Sequence, residues 1–158
     1  MVDTGPLFDF LLWKYSVRFK QEDKFIPKLQ CLNTSDLIVS MEWFLEKAKP
    51  ILTSPGVIAE VHRHAQGHLK GASLGDFWKI AQEILQALGL QEQLCQFSEL
   101  DEEELTKFYP VDTSLIEITR RENRVLLTSD MKLEGYCRTN RISVLSTGEL
   151  PAIRIQFP

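Results

Sequence analysis

The sequence predicts an α/β fold, because amphipathic helical segments alternate along it with short runs of β-branched and aliphatic residues. The clearest case covers residues 125–145, where an apolar run, a helical segment and a second apolar run follow one another. Two strands joined by a helix pair in parallel. A chain of 158 residues has the size of one domain, so we expect a single domain over residues 1–158.

Start signals place the helices in order, because a capping residue or a proline precedes each apolar periodic segment. The predicted starts are Pro6, Ser35 or Asp36, Ser54 with Pro55, Asp76, Asp101, Asp112 and Met131. Gly67, Gly71 and Gly75 indicate a loop ahead of the fourth of these helices. Asp9 lies inside the first helix, and we expect its side chain to be exposed.

Short apolar runs predict strands at residues 51–52, 94–97, 125–127 and 142–145. Near the end of the chain, Ile153, Ile155 and Phe157 alternate with polar residues, which is the period of a strand. We therefore expect the tail, residues 147–158, to form an edge strand or an arm that contacts a partner.

Composition argues against several classes of protein. Lys and Arg total 18 and Asp and Glu total 22, so the net charge of −4 argues against a generally basic nucleic-acid binder. No apolar run approaches the roughly 18 residues of a membrane span, and Asp3 and Asp9 interrupt the place of a secretory signal. Cys31, Cys95 and Cys137 form no CxxC or zinc-ligand spacing, which favours a reducing cytoplasm.

Positive charge is concentrated in the last quarter of the chain, where residues 118–158 hold seven basic and four acidic residues. Phosphate contacts from such residues supply affinity but little sequence choice. The predicted substrate-binding cations are Arg120, Arg121, Arg124, Lys132 and Arg138. Each of them, taken alone, is also explained as part of a solvated helix face.

Four acidic residues lie at the ends of predicted elements. Asp3 and Asp130 follow apolar runs, Asp112 begins a helix, and Glu60 lies one to two turns into another helix. In open parallel sheets, sites form at the carboxyl ends of strands. Carboxylates gathered there raise each other's pKa, and a bound Mg²⁺ or Mn²⁺ removes that penalty. Singly, helix caps, a turn and a solvated helix face explain these acids; their order along the chain favours a shared metal site.

Four short motifs, in this order, resemble those of the PIN-domain family. They are VDTGPL at residues 2–7, TSPGVIAEV at 53–61, PVDTSLIE at 110–117 and LLTSD at 126–130. The resemblance, carried over by position, implies that the catalytic, metal-binding acids are Asp3, Glu60, Asp112 and Asp130. It implies that the hydroxyl groups orienting these acids belong to Thr4, Thr128 and Ser129.

The resemblance further implies a three-layer α/β/α sandwich with a central, mainly parallel sheet. It implies an Mg²⁺- or Mn²⁺-dependent endoribonuclease, in which metal-activated water hydrolyses RNA phosphodiester bonds. Many small members of the family are VapC-type toxins of toxin–antitoxin pairs, and these are often dimeric. An antitoxin protein and a second copy of the chain are therefore the expected partners besides RNA, with no membrane contact.

Two other functions remain open at this point. A catalytically inactive PIN-like module would bind RNA or a protein partner, and convergence of the four acids distinguishes it from a nuclease. An Asp-nucleophile phosphotransfer protein is suggested by Asp3 and Thr4, but the paired aspartates and supporting lysine of such proteins are missing. Glu60, His64 and His68 share a helical face at zinc-ligand spacing, yet exposed polar histidines are the preferred interpretation.

Overall fold

Helices dominate the computed structural model, which describes residues 1–157: 66% of the chain is helical and 7% is in strands. The α-helices are α1 (Thr4–Arg18), α2 (Glu22–Phe25), α3 (Ser35–Lys47), α4 (Pro55–His68), α5 (Ala72–Ala87), α6 (Glu102–Leu105), α7 (Pro110–Arg121), α8 (Met131–Thr139) and α9 (Leu150–Gln156). The strands are β1 (Leu52–Thr53), β2 (Gln91–Glu92), β3 (Leu126–Thr128) and β4 (Val144–Ser146).

The strands form two separate two-stranded parallel sheets, β1 with β2 and β3 with β4. The pairing of β3 with β4 confirms the parallel pair predicted for residues 125–145. Residues 1–3 lie between the two sheets. The Val2 amide donates to the Leu52 carbonyl at 2.9 Å, and the Leu127 amide donates to the Met1 carbonyl at 2.9 Å. An isolated parallel bridge joins Val2 to Leu127.

The predicted three-layer α/β/α sandwich with a central sheet is wrong, because the strands of residues 1–157 are only two or three residues long. Each apolar run meets a helix cap almost at once. Asp3 caps α1, Ser54 follows β1 and caps α4, and Asp130 follows β3 and caps α8. These short polar side chains bond the first amides of a helix and so end the extended chain. The chain therefore folds into helices where a sheet layer was expected.

Helix α1 lies largely inside the hydrophobic core. Ten of its 15 residues are buried, and it packs against α4 and α5. The Tyr15 ring lies 6.1 Å from the Phe77 ring of α5 and 5.8 Å from the Phe25 ring of α2. A helix that is apolar on nearly every face must be buried on nearly every face. Over residues 1–157, no helix is long and apolar enough to cross a membrane.

Several local predictions also need correction. The tail predicted as an edge strand is helical over Leu150–Gln156 and packs against α3; Pro158 lies outside the described residues. The strand predicted at residues 94–97 is replaced by β2, just before it, and a 3₁₀ turn at Phe97–Glu99. The glycine loop is short, because α4 continues to His68 and α5 begins at Ala72. Periodicity alone does not separate a short amphipathic helix from an edge strand.

Asp9 is buried, contrary to the exposure predicted for it, with 1% of its surface accessible. Its Oδ2 atom accepts the Cys31 amide at 2.7 Å, the Leu32 amide at 3.1 Å and the Cys31 thiol at 3.1 Å. Two backbone groups of the segment before α3 thus depend on one carboxylate of α1. Local sequence did not indicate this contact, because the donors lie 22 and 23 residues away.

We expect Asp9→Ala to lower the free energy of unfolding by about 2–4 kcal/mol, because it leaves the buried amides of Cys31 and Leu32 without an acceptor. Urea denaturation measures this loss. Asp23→Ala is the matched control, since Asp23 is exposed on α2 and should change stability by less than about 0.5 kcal/mol. Equal losses of stability in the two variants would contradict the conclusion that Asp9 holds the segment before α3.

Candidate carboxylate site

Asp3 is the most deeply buried of the four predicted acids, with 7% of its surface exposed. It caps α1 by accepting the Thr4 amide on Oδ1 at 2.6 Å. Its Oδ2 atom accepts the Thr128 hydroxyl at 2.6 Å. Burial raises the pKa of Asp3, the two hydrogen bonds oppose that shift, and the charges of Asp130 and Glu60 add to it.

Thr4 and Thr128 connect Asp3 to two other predicted acids. The Thr4 hydroxyl donates to Oε2 of Glu60 on α4 at 2.7 Å. The Thr128 hydroxyl, which donates to Asp3, also accepts the Asp130 amide at 3.0 Å. Three chain segments far apart in sequence therefore meet at two threonine side chains. Both threonines contact acids through their hydroxyl groups.

Asp112 lies in the first turn of α7 and shares the electrostatic environment of the other three acids. Its pKa is raised to about 6, first by burial and then by the charges of Asp3, Glu60 and Asp130, against a backbone hydrogen bond from Tyr109. Asp112 also lines the same groove as Asp130, so it lies beside the segment that follows β3. The structure thus brings the four acids together, and we call this group the carboxylate site.

Negative charge at the carboxylate site is barely compensated by protein cations. Among residues 1–157, no Lys or Arg forms an ion pair with Asp3, Asp112 or Asp130. Glu60 has one distant partner, the Arg63 guanidinium at 3.8 Å.

The four carboxylates match the oxygen ligands that Mg²⁺ and Mn²⁺ prefer. As the side chains lie, no three His, Cys, Asp or Glu residues of the described chain are gathered closely enough to hold an ion. The chemistry of the donors fits a divalent cation, and closing the site around one requires side-chain rotation.

A groove of about 470 Å³ opens beside Asp112 and Asp130. Its wall includes Tyr109, Pro110 and Lys132. The Lys132 ammonium lies 4.9 Å from the centre of the Phe108 ring and donates to the Lys107 carbonyl. Of the five predicted phosphate-binding cations, Lys132 is the one that lines this groove.

Three of the other predicted cations are bound to acids elsewhere. Arg120 pairs with the buried Glu104 at 2.7 Å. Arg121 lies 3.5 Å from Glu99 and also donates to the Leu94 carbonyl. The ion pairs of Arg138 are with Glu134 at 2.9 Å and Glu149 at 2.8 Å. Arg124 lines a different cavity, of about 520 Å³, together with Val125 and Leu145.

The hydroxyl of Ser129, which was predicted to orient the acids, lies beside Gly5 and Cys31. Burial raises the pKa of the Cys31 thiol, and a hydrogen bond with Ser129 opposes that shift. A β-carbon added at Gly5 would lie 2.8 Å from the Ser129 hydroxyl oxygen, closer than such contacts occur. Any larger residue at position 5 would therefore force the Ser129 side chain to move.

The three histidines are explained by packing. His64 and His68 lie 5.4 Å and 5.6 Å from the Phe8 ring, centre to centre. The His62 Nδ1 atom accepts the Trp78 indole N–H at 2.9 Å. These contacts favour the structural interpretation of the histidines over a zinc site.

Arg63, Tyr109 and Phe97 border the site, but the sequence did not single them out. Arg63 follows Glu60 by three residues on α4, a spacing that places the two side chains together and that could have been noticed. Tyr109 caps α7 by its backbone position and is 78% exposed. Phe97 lines a second groove that also includes Pro110 and Val111. Nothing in the local pattern links Phe97 to Pro110, because only the tertiary fold brings these two residues to one groove.

No protein-family model, no curated protein and no solved structure significantly matches this chain.

We expect Asp112→Asn to stabilise the metal-free protein at neutral pH. The folded state binds the Asp112 proton with a pKa of about 6, against an ordinary value of 3.8. Ionising this group therefore costs stability as the pH rises from about 4 through 6, and the asparagine avoids that cost. In EDTA, the melting temperature of the variant should exceed that of the parent by roughly 2–4 °C at pH 7.5, with the difference vanishing near pH 4.

Glu117→Gln is the control for this experiment, because Glu117 lies on the same helix and pairs with Arg120 at 3.8 Å. We expect no stabilisation from that change at pH 7.5. If Asp112→Asn lowered the melting temperature equally at pH 4 and pH 7.5, the repulsion between the acids would be contradicted.

Proposed function

We propose that this protein is an Mg²⁺- or Mn²⁺-dependent endoribonuclease whose metal ligands are Asp3, Glu60, Asp112 and Asp130. The observation that carries the proposal is the convergence of the acids: the Thr4 hydroxyl donates to Glu60, the Thr128 hydroxyl donates to Asp3 and accepts the Asp130 amide, and Asp112 and Asp130 line one groove. Protein folds seldom keep several carboxylates together without a cation, and raised pKa values concentrate at functional sites. The four motifs that resemble the PIN family supply these acids. The layered sheet of that family is not part of the proposal.

A bound divalent cation would supply activated water and neutralise charge on a phosphodiester. The protein's own residues have separate parts in this chemistry. Thr4 and Thr128 fix the rotamers of Glu60 and Asp3, so that two ligands are oriented before an ion binds. Asp130 has its Oδ1 atom occupied by the Lys132 and Leu133 amides. Its other oxygen is available to an ion.

Substrate access is supported by the 470 Å³ groove next to Asp112 and Asp130. Lys132 in its wall is suited to hold a phosphate near these acids. The unpaired thiols of Cys31, Cys95 and Cys137 are consistent with a reducing cytoplasm. A homodimer and an antitoxin-like inhibitor remain predictions of the family resemblance, and the activity proposed here requires neither.

The test is cleavage of a mixed RNA pool by the pure protein in Mg²⁺, in Mn²⁺ and in EDTA. We expect cutting with either ion and none in EDTA. Asp112→Asn should reduce cleavage by at least about 100-fold, since even the groups that orient metal ligands are worth 10–100-fold. Glu117→Gln should retain the parent rate, because that carboxylate pairs with Arg120 away from the site.

Metal binding is measured separately from activity. Mn²⁺ should raise the melting temperature of the parent protein at pH 7.5 and leave that of Asp112→Asn nearly unchanged. Folded protein that neither cuts RNA nor responds to Mn²⁺ would overturn the proposal. Equal cleavage by Asp112→Asn and by the parent would overturn the assigned site.

A further inference from the structure

Exposed large apolar side chains are concentrated around the carboxylate site. Five such side chains in residues 1–157 are at least 74% exposed: Leu94, Phe97, Tyr109, Met131 and Ile155. Met131 follows Asp130 directly, and Tyr109 precedes Asp112 by three residues. Leu94 and Phe97 line the groove that contains Pro110. Tyr109 and Met131 therefore lie beside the carboxylate site, and Leu94 and Phe97 line the groove that adjoins it at Pro110. Folding gives no reason to leave these side chains in water.

Two grooves meet at Pro110. The first, of about 470 Å³, holds Asp112, Asp130 and Tyr109. The second, of about 290 Å³, is mainly apolar and includes Phe97. Each groove thus offers one aromatic ring. Tyr109 lies in the groove that contains the acids, and Phe97 lies in the groove that does not.

Charge alone is a poor source of RNA affinity on this surface. Arg120 and Arg121 are engaged by Glu104 and Glu99, and Arg138 is engaged by two acids of its own. Lys107 pairs with Glu103. These pairs lower the negative charge of the acidic segment at residues 99–104, but they also occupy the cations. A ligand with a phosphate backbone must obtain most of its binding energy from another source.

We propose that Tyr109 and Phe97 are base-stacking residues, which hold unstacked nucleobases on the two sides of Pro110 and so place a phosphate at the carboxylate site. Aromatic side chains bind single-stranded nucleic acid through the faces of successive bases, with little sequence preference. Double-stranded RNA cannot bind in this way, because its bases are already stacked on one another. This inference rests on the proposed ribonuclease function and identifies the residues that position the RNA.

The test measures binding of a fluorescent, mixed-sequence 12-nucleotide RNA by anisotropy in Mg²⁺, with Asp112→Asn as the parent so that the RNA stays intact. Adding Tyr109→Ala or Phe97→Ala should each weaken binding about fivefold or more, the equivalent of one lost base stack. Tyr109→Phe keeps the ring and should bind as the parent does. Ile155→Ala removes an equally exposed side chain from α9 and should have no effect.

Salt dependence separates stacking from charge. Each phosphate neutralised on a single strand contributes a slope of about −0.7 to log K against log salt. With Lys132 as the cation of the groove, we expect a slope near −1. A slope of −4 or steeper would overturn the proposal, as would equal affinity for the annealed duplex.

The outcomes also separate this proposal from the proposed function. If the protein cuts RNA with Mg²⁺ but folded Tyr109→Ala binds as tightly as its parent, the stacking role is wrong and the nuclease stands. If RNA binds through Tyr109 without any cleavage, the stacking role stands and the nuclease is wrong. Absence of RNA binding by the folded parent would overturn the stacking role and favour a protein partner for the exposed apolar side chains.

Discussion

The hydrogen bond from the Thr128 hydroxyl to Asp3 joins residues 125 positions apart, and much of the structure depends on it. Asp3 begins α1, the helix at the centre of the core, and Thr128 ends β3. The same hydroxyl accepts the amide of Asp130, the residue that begins α8. Two helices and one strand are therefore aligned by a side chain that is completely buried. Substituting either partner would disturb the core and the carboxylate site together.

This arrangement places a buried carboxylate, Asp3, near other acids. The other two buried acids of residues 1–157 have a cation or two amides as partners: Glu104 pairs with Arg120, and Asp9 accepts two amides of the segment before α3. Asp3 differs, because its partners are a hydroxyl and one amide. Uncompensated charge in a well-packed protein costs stability, and such costs are retained mainly where a ligand relieves them.

On the surface around the site, charged side chains pair with each other and large apolar side chains are exposed. Arginines that would be free to bind phosphate are held by neighbouring acids, whereas aromatic side chains are left in water. Ion pairs on a surface contribute little to stability, so their main effect here is on what the surface presents to a ligand. A ligand that approaches the carboxylate site would therefore contact exposed aromatic side chains and few unpaired cations.

Local chemistry in the sequence identified part of the caps: Ser54, Asp101 and Asp130 cap the helices predicted to start there. The helices predicted to start at Ser35 or Asp36 and at Asp76 are instead capped by Thr34 and Gly71. Asp112 lies in the first turn of α7, where its charge faces the positive end of the helix. Apolar runs likewise predicted β3 and β4 and their parallel pairing. What the sequence did not determine was the length of the strands: polar capping residues closely follow β1 and β3, and no strand of residues 1–157 is longer than three residues.

Tertiary structure alone decided which distant groups meet. Glu60 reaches Asp3 through the Thr4 hydroxyl, and Asp9 is buried because the segment before α3 folds back onto it. The sequence predicted that Arg120 binds phosphate, but in the structure it forms an ion pair with Glu104 of another helix. Contacts of this kind depend on packing over the whole chain, since no local period or cap encodes a partner dozens of residues away. The sequence therefore determined the residues available for chemistry, and the fold determined which of them act together.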